Sequence, residues 1–226
     1  MARDPTNERH IPALRFHILT RFYDPVVRLT TREMTFKPEL VRRLSLDAGE
    51  CALDLGCGTG TLTLMLADAY PRARITGTDA DKQALAIARR KRPGGSSSPR
   101  FLQGLAQSLP FAAAEFDAAV SSLFFHHLTQ TQKRAALREL FRVLKPAGRV
   151  HIADWGRPTG VAMRTLFYLV QALDGFATTQ DSVAGVLPAL LREVGFIDVD
   201  DSTTYATPLG TMRLYRAVKP GTPCAR

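Results

Sequence analysis

The residue pattern predicts an α/β protein built on a doubly wound sheet whose strands run mostly parallel. Three observations carry the prediction. Short apolar runs alternate five times with helical runs between residues 51 and 153, and such alternation gives parallel strands joined by right-handed helical crossovers. The first run ends in Gly56, Gly58 and Gly60, at strict alternation, and opens directly into good helix formers. After residue 154 the alternation stops, and apolar helical runs give way to two β-rich runs that would close the sheet as a hairpin.

Each element has its own signal. Residues 12–44 carry apolar and basic positions at helical spacing (Leu14, Ile18 and Phe22, then Val27 and Met34), broken by Pro12, Pro25 and Pro38. They predict two short helices and a third at 38–44 leading into the core, with a turn at Tyr23-Asp24-Pro25. Residues 51–55 form the first strand and 61–69 its helix. Pro71 breaks the chain, 74–78 resume as a strand ending in Asp79-Ala80-Asp81, and 82–92 form the next helix. The run Pro93-Gly94-Gly95-Ser96-Ser97-Ser98-Pro99 is loop. Strands follow at 100–103 and 116–121. An amphipathic helix at 128–144 is stopped by Lys145-Pro146-Ala147-Gly148, and 149–153 form the fifth strand. Beyond Asp154-Trp155-Gly156 come an apolar helix at 161–173, a second at 182–194 stopped by Gly195, and β-rich runs at 196–199 and 212–218 around a turn-rich stretch with Pro208 and Gly210.

With 226 residues and 45% hydrophobic content, the chain can bury a core as one large domain, or one domain with a lid. The net charge of +9 favours anionic partners, but only Arg89-Arg90-Lys91-Arg92 clusters, and cations suit a helix C-terminus. Cys51, Cys57 and Cys224 lack metal-ligand spacing, and an odd count argues against a disulfide framework. This points to a reducing cytoplasm. Residues 1–10 are polar, unlike a signal peptide, and the apolar run at 161–170 is interrupted by Arg164 and too short to span. Peripheral membrane contact stays open.

The glycine loop is a small-molecule corner: glycine lets the backbone turn sharply and approach a ligand, and the following helix N-terminus offers unpaired N–H groups. Asp79 stands 21 residues beyond Gly58, at the end of the adjoining strand. Its carboxylate could accept both hydroxyls of a ribose, or cap the next helix. The loop reads Asp54-x-Gly56-x-Gly58-x-Gly60, whereas a dinucleotide loop spaces its last glycine one residue further on.

At this point the sequence resembles the class I S-adenosylmethionine-dependent methyltransferases, in particular the small-molecule branch with the ubiquinone/menaquinone C-methyltransferases. The resemblance rests on 53–60, Gly77-Thr78-Asp79, Leu109-Pro110-Phe111 with Phe116-Asp117, Phe125-His126-His127-Leu128, and 140–148, in order across residues 37–155. Tyr23-Asp24 is similar to an N-terminal pair of the quinone enzymes. The likeness implies a Rossmann-like doubly wound seven-stranded sheet, mostly parallel with an antiparallel C-terminal strand, helices on both faces and an N-terminal helical lid. The implied divisions are a lid at 1–36, a cofactor-binding core at 37–155, and a C-terminal part at 156–226 with a helical insertion at 156–181.

It also implies roles. Asp54 and the loop Gly56, Cys57, Gly58, Thr59 and Gly60 would hold the methionine end of S-adenosyl-L-methionine, Asp79 its ribose, and Ala80, Leu105 and Ala106 its adenine, with Ser121 also facing the cofactor. The family commonly has an acidic residue after Gly104 to accept from the adenine amino group, and this chain has Leu105. Gln107 could substitute through its carbonyl. Without that bond, affinity falls by about 1 kcal/mol.

The implied chemistry is in-line displacement at a sulfonium methyl, where positioning does most of the work and a base serves only a hydroxyl or acidic carbon. His126, His127, Tyr23 and Asp154 are the candidates. Either histidine could instead shape the pocket, and Asp154-Trp155 could be a turn carboxylate and a packing indole. The expected acceptor is a small hydrophobic or aromatic molecule, handled by a cytoplasmic monomer or homodimer. The alternatives are a catalytically silent cofactor-binding module acting through a partner, and a phospholipid N-methyltransferase. Nucleic acid is not an expected partner, because Ser121-Ser122-Leu123-Phe124 lacks the Asn/Asp-Pro-Pro-aromatic pattern of base-amino methylation.

Overall fold

A computed structural model describes residues 33–91 and 98–221. Its elements in chain order are α1 (Glu33–Leu44), β1 (Cys51–Leu55), α2 (Thr61–Ala69), β2 (Arg74–Asp79), α3 (Lys82–Lys91), β3 (Arg100–Gln103), β4 (Phe116–Ser122), a 3-10 turn (Phe125–His127), α4 (Gln130–Val143), β5 (Leu144–Trp155), α5 (Val161–Asp174), α6 (Phe176–Ala184), α7 (Leu187–Val194), β6 (Ile197–Thr207) and β7 (Gly210–Val218). The strands form one seven-stranded sheet in the order β3-β2-β1-β4-β5-β7-β6. Strands β1 to β5 pair in parallel, and β7 runs antiparallel to both β5 and β6. The doubly wound, mostly parallel sheet expected from the alternating pattern is therefore present, with β7 as its antiparallel C-terminal strand.

Period-two alternation divides the core between the two faces. Leu53 and Leu55 of β1, Ala119 of β4 and Ile152 of β5 pack with α4 and α7 on one face. Ala52, Ala118, Val120, Ala153 and Trp155 pack with α1, α2 and the inner side of α5 on the other. Asp54, between Leu53 and Leu55, is thereby turned toward α2, where Thr63 meets it.

Several local expectations are revised. Helix α1 runs through Pro38 rather than starting there. A proline inside a helix forgoes the bond to the carbonyl four residues back, and the Glu33–Lys37 ion pair, 2.8 Å long, lies in the turn before it. The run Lys145-Pro146-Ala147-Gly148 is part of β5: Ala147 adopts φ +60°, and the β4–β5 register shifts between Phe116 and Ala118. The single helix expected at 182–194 is two, because Gly185 is left-handed at φ +70° and Pro188 opens α7. The turn-rich stretch before residue 212 is mostly β6, whose own turn is confined to Pro208 and Leu209. Among the described residues no helix is long and apolar enough to cross a membrane. Nearly all of the expected lid at 1–36, including Tyr23, lies outside the described residues.

Candidate active site

The site forms where β1, β2, β4 and β5 end together, the usual ligand edge of an open parallel sheet. After β1 the chain turns through Gly56, Gly58 and Gly60 at φ +70°, +51° and +82°. Two backbone bonds pin the turn to the next strand, from the Gly56 and Cys57 N–H groups to the Thr78 carbonyl at 2.9 and 3.0 Å. At Gly56 a Cβ would lie 2.4 Å from the Phe124 ring, so only glycine admits that ring over the loop. At Gly58 a Cβ would meet nothing within 4 Å. The backbone there faces open space in a conformation that side-chain-bearing residues rarely adopt, which is a cradle for a ligand. Cys57 is buried, and burial pushes its thiol well above the ordinary range. The Thr59 hydroxyl accepts a hydrogen bond from Lys91 Nζ at 3.1 Å.

Asp54 lies under this loop, 1% exposed, with Oδ2 accepting the Thr63 hydroxyl at 2.6 Å. Burial raises its pKa to about 6, against the lowering effects of the Thr63 bond and the nearby Lys37. A carboxylate so short of compensating charge favours a cationic ligand group.

Asp79 closes the other side. Its Oδ2 accepts the Gly58 N–H at 2.8 Å and its Oδ1 the Asp81 N–H at 2.8 Å. Burial raises its pKa. The start of α3 is capped by Asp81 instead, which accepts from the Gln83 and Ala84 N–H groups. Each Asp79 oxygen keeps a lone pair beyond its one backbone bond. Along the same edge, the Ala80 carbonyl accepts from Gln103 Nε2, Ala106 is buried and Leu105 is 52% exposed. The Ser121 hydroxyl is directed across the sheet, donating to the Leu55 carbonyl at 2.8 Å.

At the ends of β4 and β5 the structure joins two of the four candidate catalytic residues. His126 Nδ1 and Asp154 Oδ1 are 2.6 Å apart, with side chains only 4% and 2% exposed. Asp154 also accepts the N–H groups of Phe124 and His126, each at 3.2 Å, and of Trp155 at 2.7 Å. Against burial, which raises it, the His126 ring and then the Trp155 N–H hold its carboxyl below the ordinary range. The carboxylate is spent on orienting the β4 loop and the His126 ring. His127 is half-buried with its ring centroid 3.9 Å from that of His126, and burial together with His126 pushes its pKa down to about 3. Trp155 packs edge-on against Phe167 of α5 at 5.5 Å.

The loop bends this way because Leu123, immediately after β4, takes φ +53° while its N–H donates to the Ala153 carbonyl at 2.8 Å. Such backbone strain persists where its surroundings over-determine it. Sequence reasoning nominated His126 and Asp154 separately. Their partnership follows from β4 and β5 being neighbours, a signal available in the strand order but not in the local residue pattern. The Thr63 partner of Asp54 was missed, although nine residues into a strand–turn–helix unit is where the first turn of the helix returns to the strand.

The residues fit S-adenosylmethionine. Asp54 can take the ammonium of its methionine end, the open space over Gly58 leaves room for that end to lie on the loop, and Asp79 can accept its ribose hydroxyls. The sequence comparisons agree. A family model described as a methyltransferase domain matches residues 52–148. The chain is similar to the demethylmenaquinone methyltransferase of Thermus thermophilus, 36% identical over 65% of this chain and 70% of that one. It is similar to an uncharacterised methyltransferase of Synechocystis, 32% identical over 77% of this chain and 81% of the relative. Its fold matches the solved structure of YcgJ from Bacillus subtilis with a TM-score of 0.66 at 19% identity, covering 82% of this chain and 98% of that one. The chain belongs to the class I S-adenosylmethionine-dependent methyltransferases.

Proposed function

We propose that this methyltransferase acts on a small hydrophobic aromatic acceptor of the quinol type. The observation that carries the reading is the outward face of α5. Val161, Tyr168, Leu169 and Leu173 are 85%, 49%, 56% and 75% exposed, and with Thr165 and Ala172 they form a mostly apolar stripe, bordered by Arg164, whose guanidinium lies 4.0 Å from the centroid of the Tyr168 ring. The inward residues Phe167 and Val170 pack toward Trp155 at the end of β5. A largely apolar helix packed against the ligand edge suits an apolar acceptor, and the name of the Thermus relative points to the same chemical class.

Bound S-adenosylmethionine supplies an electrophilic methyl group on a sulfonium. The chain supplies position and a place for a proton. With Nδ1 held by Asp154, the His126 nitrogen that exchanges a proton is Nε2, and Asp154 stabilises the imidazolium that results. A hydroxyl proton leaving the acceptor for Nε2 makes the ring electron-rich where the methyl is received, and the hydrogen on that carbon then leaves to solvent as a proton, which restores the aromatic ring. His127, with its depressed pKa, is too weak a base for this and shapes the pocket instead.

Labelled cofactor offered with a demethylated naphthoquinol, a simple phenol, an alkylamine and aminophospholipid vesicles tests the reading. Label is expected in the naphthoquinol first. Transfer to the aminophospholipid alone, or cofactor binding without transfer to any acceptor, would contradict it.

A further inference from the structure

At the opposite end of the sheet from the glycine loop, the geometry points to a second binding site, one for a compact oligophosphate anion. Arg72, Arg74 and Arg100 line a cleft of about 610 Å3 under the starts of β1, β2 and β3. That volume lies within the range of about 300–1,000 Å3 usual for small-molecule sites.

The charge at this end is uneven for a structural reason. The acids around the cleft are committed to other cations: Glu50 to Arg149 at 2.6 Å, and Asp117 to Lys145 at 2.7 Å and to the Cys51 N–H at 2.9 Å. Glu115 is the one acid in the lining, and its Oε2 accepts the Ala112 N–H at 2.9 Å. None of the three arginines has a carboxylate partner among the described residues. Among the described residues the one side-chain bond any of them makes is from Arg74 Nε to the Cys51 sulfur, at 3.1 Å.

Strand register puts these cations together. Arg74 stands opposite Cys51 and two residues before Thr76, which stands opposite Arg100. Alternation therefore places Arg74, Thr76 and Arg100 on one face, with Arg72 two residues earlier. Guanidinium groups present fixed forks of N–H donors that match phosphate oxygens. Three of them around a polar cleft suit a ligand with more than one phosphate, which S-adenosylmethionine is not. Asp79 is five residues along β2 from Arg74, roughly 17 Å at the rise of a strand, so both sites can be filled at once.

Titration of the full chain with inorganic tripolyphosphate, and separately with ATP to distinguish a free oligophosphate from a nucleotide, tests the proposal. Saturable one-to-one binding of either is expected, unchanged by saturating S-adenosylhomocysteine and weakened by added salt. It should weaken at least tenfold in Arg74→Ala/Arg100→Ala. Arg72→Glu, at an exposed position without a side-chain partner, should do the same and guards against misfolding of the double variant. The proposal is overturned by absence of saturation in the millimolar range. Loss of binding in Arg90→Ala, at the basic end of α3, with none in the cleft variants would also overturn it. So would competition with S-adenosylhomocysteine, or retardation of RNA that depends on these arginines without tripolyphosphate binding.

Discussion

His126 Nδ1 lies 2.6 Å from Asp154 Oδ1 in a buried setting, joining two residues 28 positions apart across the ends of adjacent strands. In the proposed mechanism the pair leaves Nε2 of His126 to exchange the proton, which would make Asp154 a positioning residue. Asp154→Asn keeps the shape and removes the charge. It should lower kcat by about 10²-fold and flatten the acidic limb of the pH–rate profile, with cofactor Kd nearly unchanged. Stopped-assay kinetics check this, and an unaltered kcat and profile would leave Asp154 as packing alone.

Asp79→Ala removes the acceptor for the Gly58 and Asp81 N–H groups as well as the expected ribose partner. Hydrogen bonds to a charged group contribute about 1.5–3 kcal/mol each, so calorimetry should show cofactor affinity weakened at least tenfold in a protein that still unfolds cooperatively. Wild-type affinity would remove the ribose assignment.

Asp54 titrates at about 6 because of its burial. Only the ionised form suits an ammonium, so cofactor affinity should fall about tenfold per pH unit below 6 and level off above it. Thr63→Val removes a hydrogen bond to the carboxylate and should move the midpoint upward. Binding that is flat from pH 7.5 to 5 would mean that another group meets the ammonium.

His151 on β5 is 3% exposed, its Nε2 has no hydrogen-bond partner, and desolvation, with Arg216, Arg149 and Arg43 nearby, lowers its pKa to about 4. The unfolded chain, with a pKa of about 6.5, takes up the proton first. The neutral ring's contribution is therefore complete above pH 6.5 and is lost as pH falls toward 4, by up to about 3 kcal/mol. His151→Leu should lose less stability than wild type between pH 7 and 4.5 in urea unfolding. Parallel losses would count against this account.

How far the sequence could be read varied with the physical source of each feature. Strands β1, β2 and β4 are legible because both of their faces are buried, which leaves apolar runs between helical ones. Strand β6 is legible only at its start, 197–199; beyond it residues such as Asp200, Ser202 and Thr204 on this edge strand face solvent, so the alternation is present without the apolar contrast that would reveal it. Pro38 lies inside α1, whereas Pro188 opens α7. A proline marks restricted backbone and does not say on which side the helix lies. In the site, the glycine spacing and Asp79 are local signals and were readable. The commitments of Asp154 to three N–H groups and of Ser121 to the Leu55 carbonyl arise only from tertiary approach.

The most direct measurement is transfer of a labelled methyl group from S-adenosylmethionine to a demethylated naphthoquinol by the wild type and by His126→Gln. Label is expected in the extracted ring product with wild type, with at least 10²-fold slower transfer in the variant and equal cofactor Kd for the two. Equal rates, or no labelled ring product from a wild type that binds the cofactor, would contradict the proposed function.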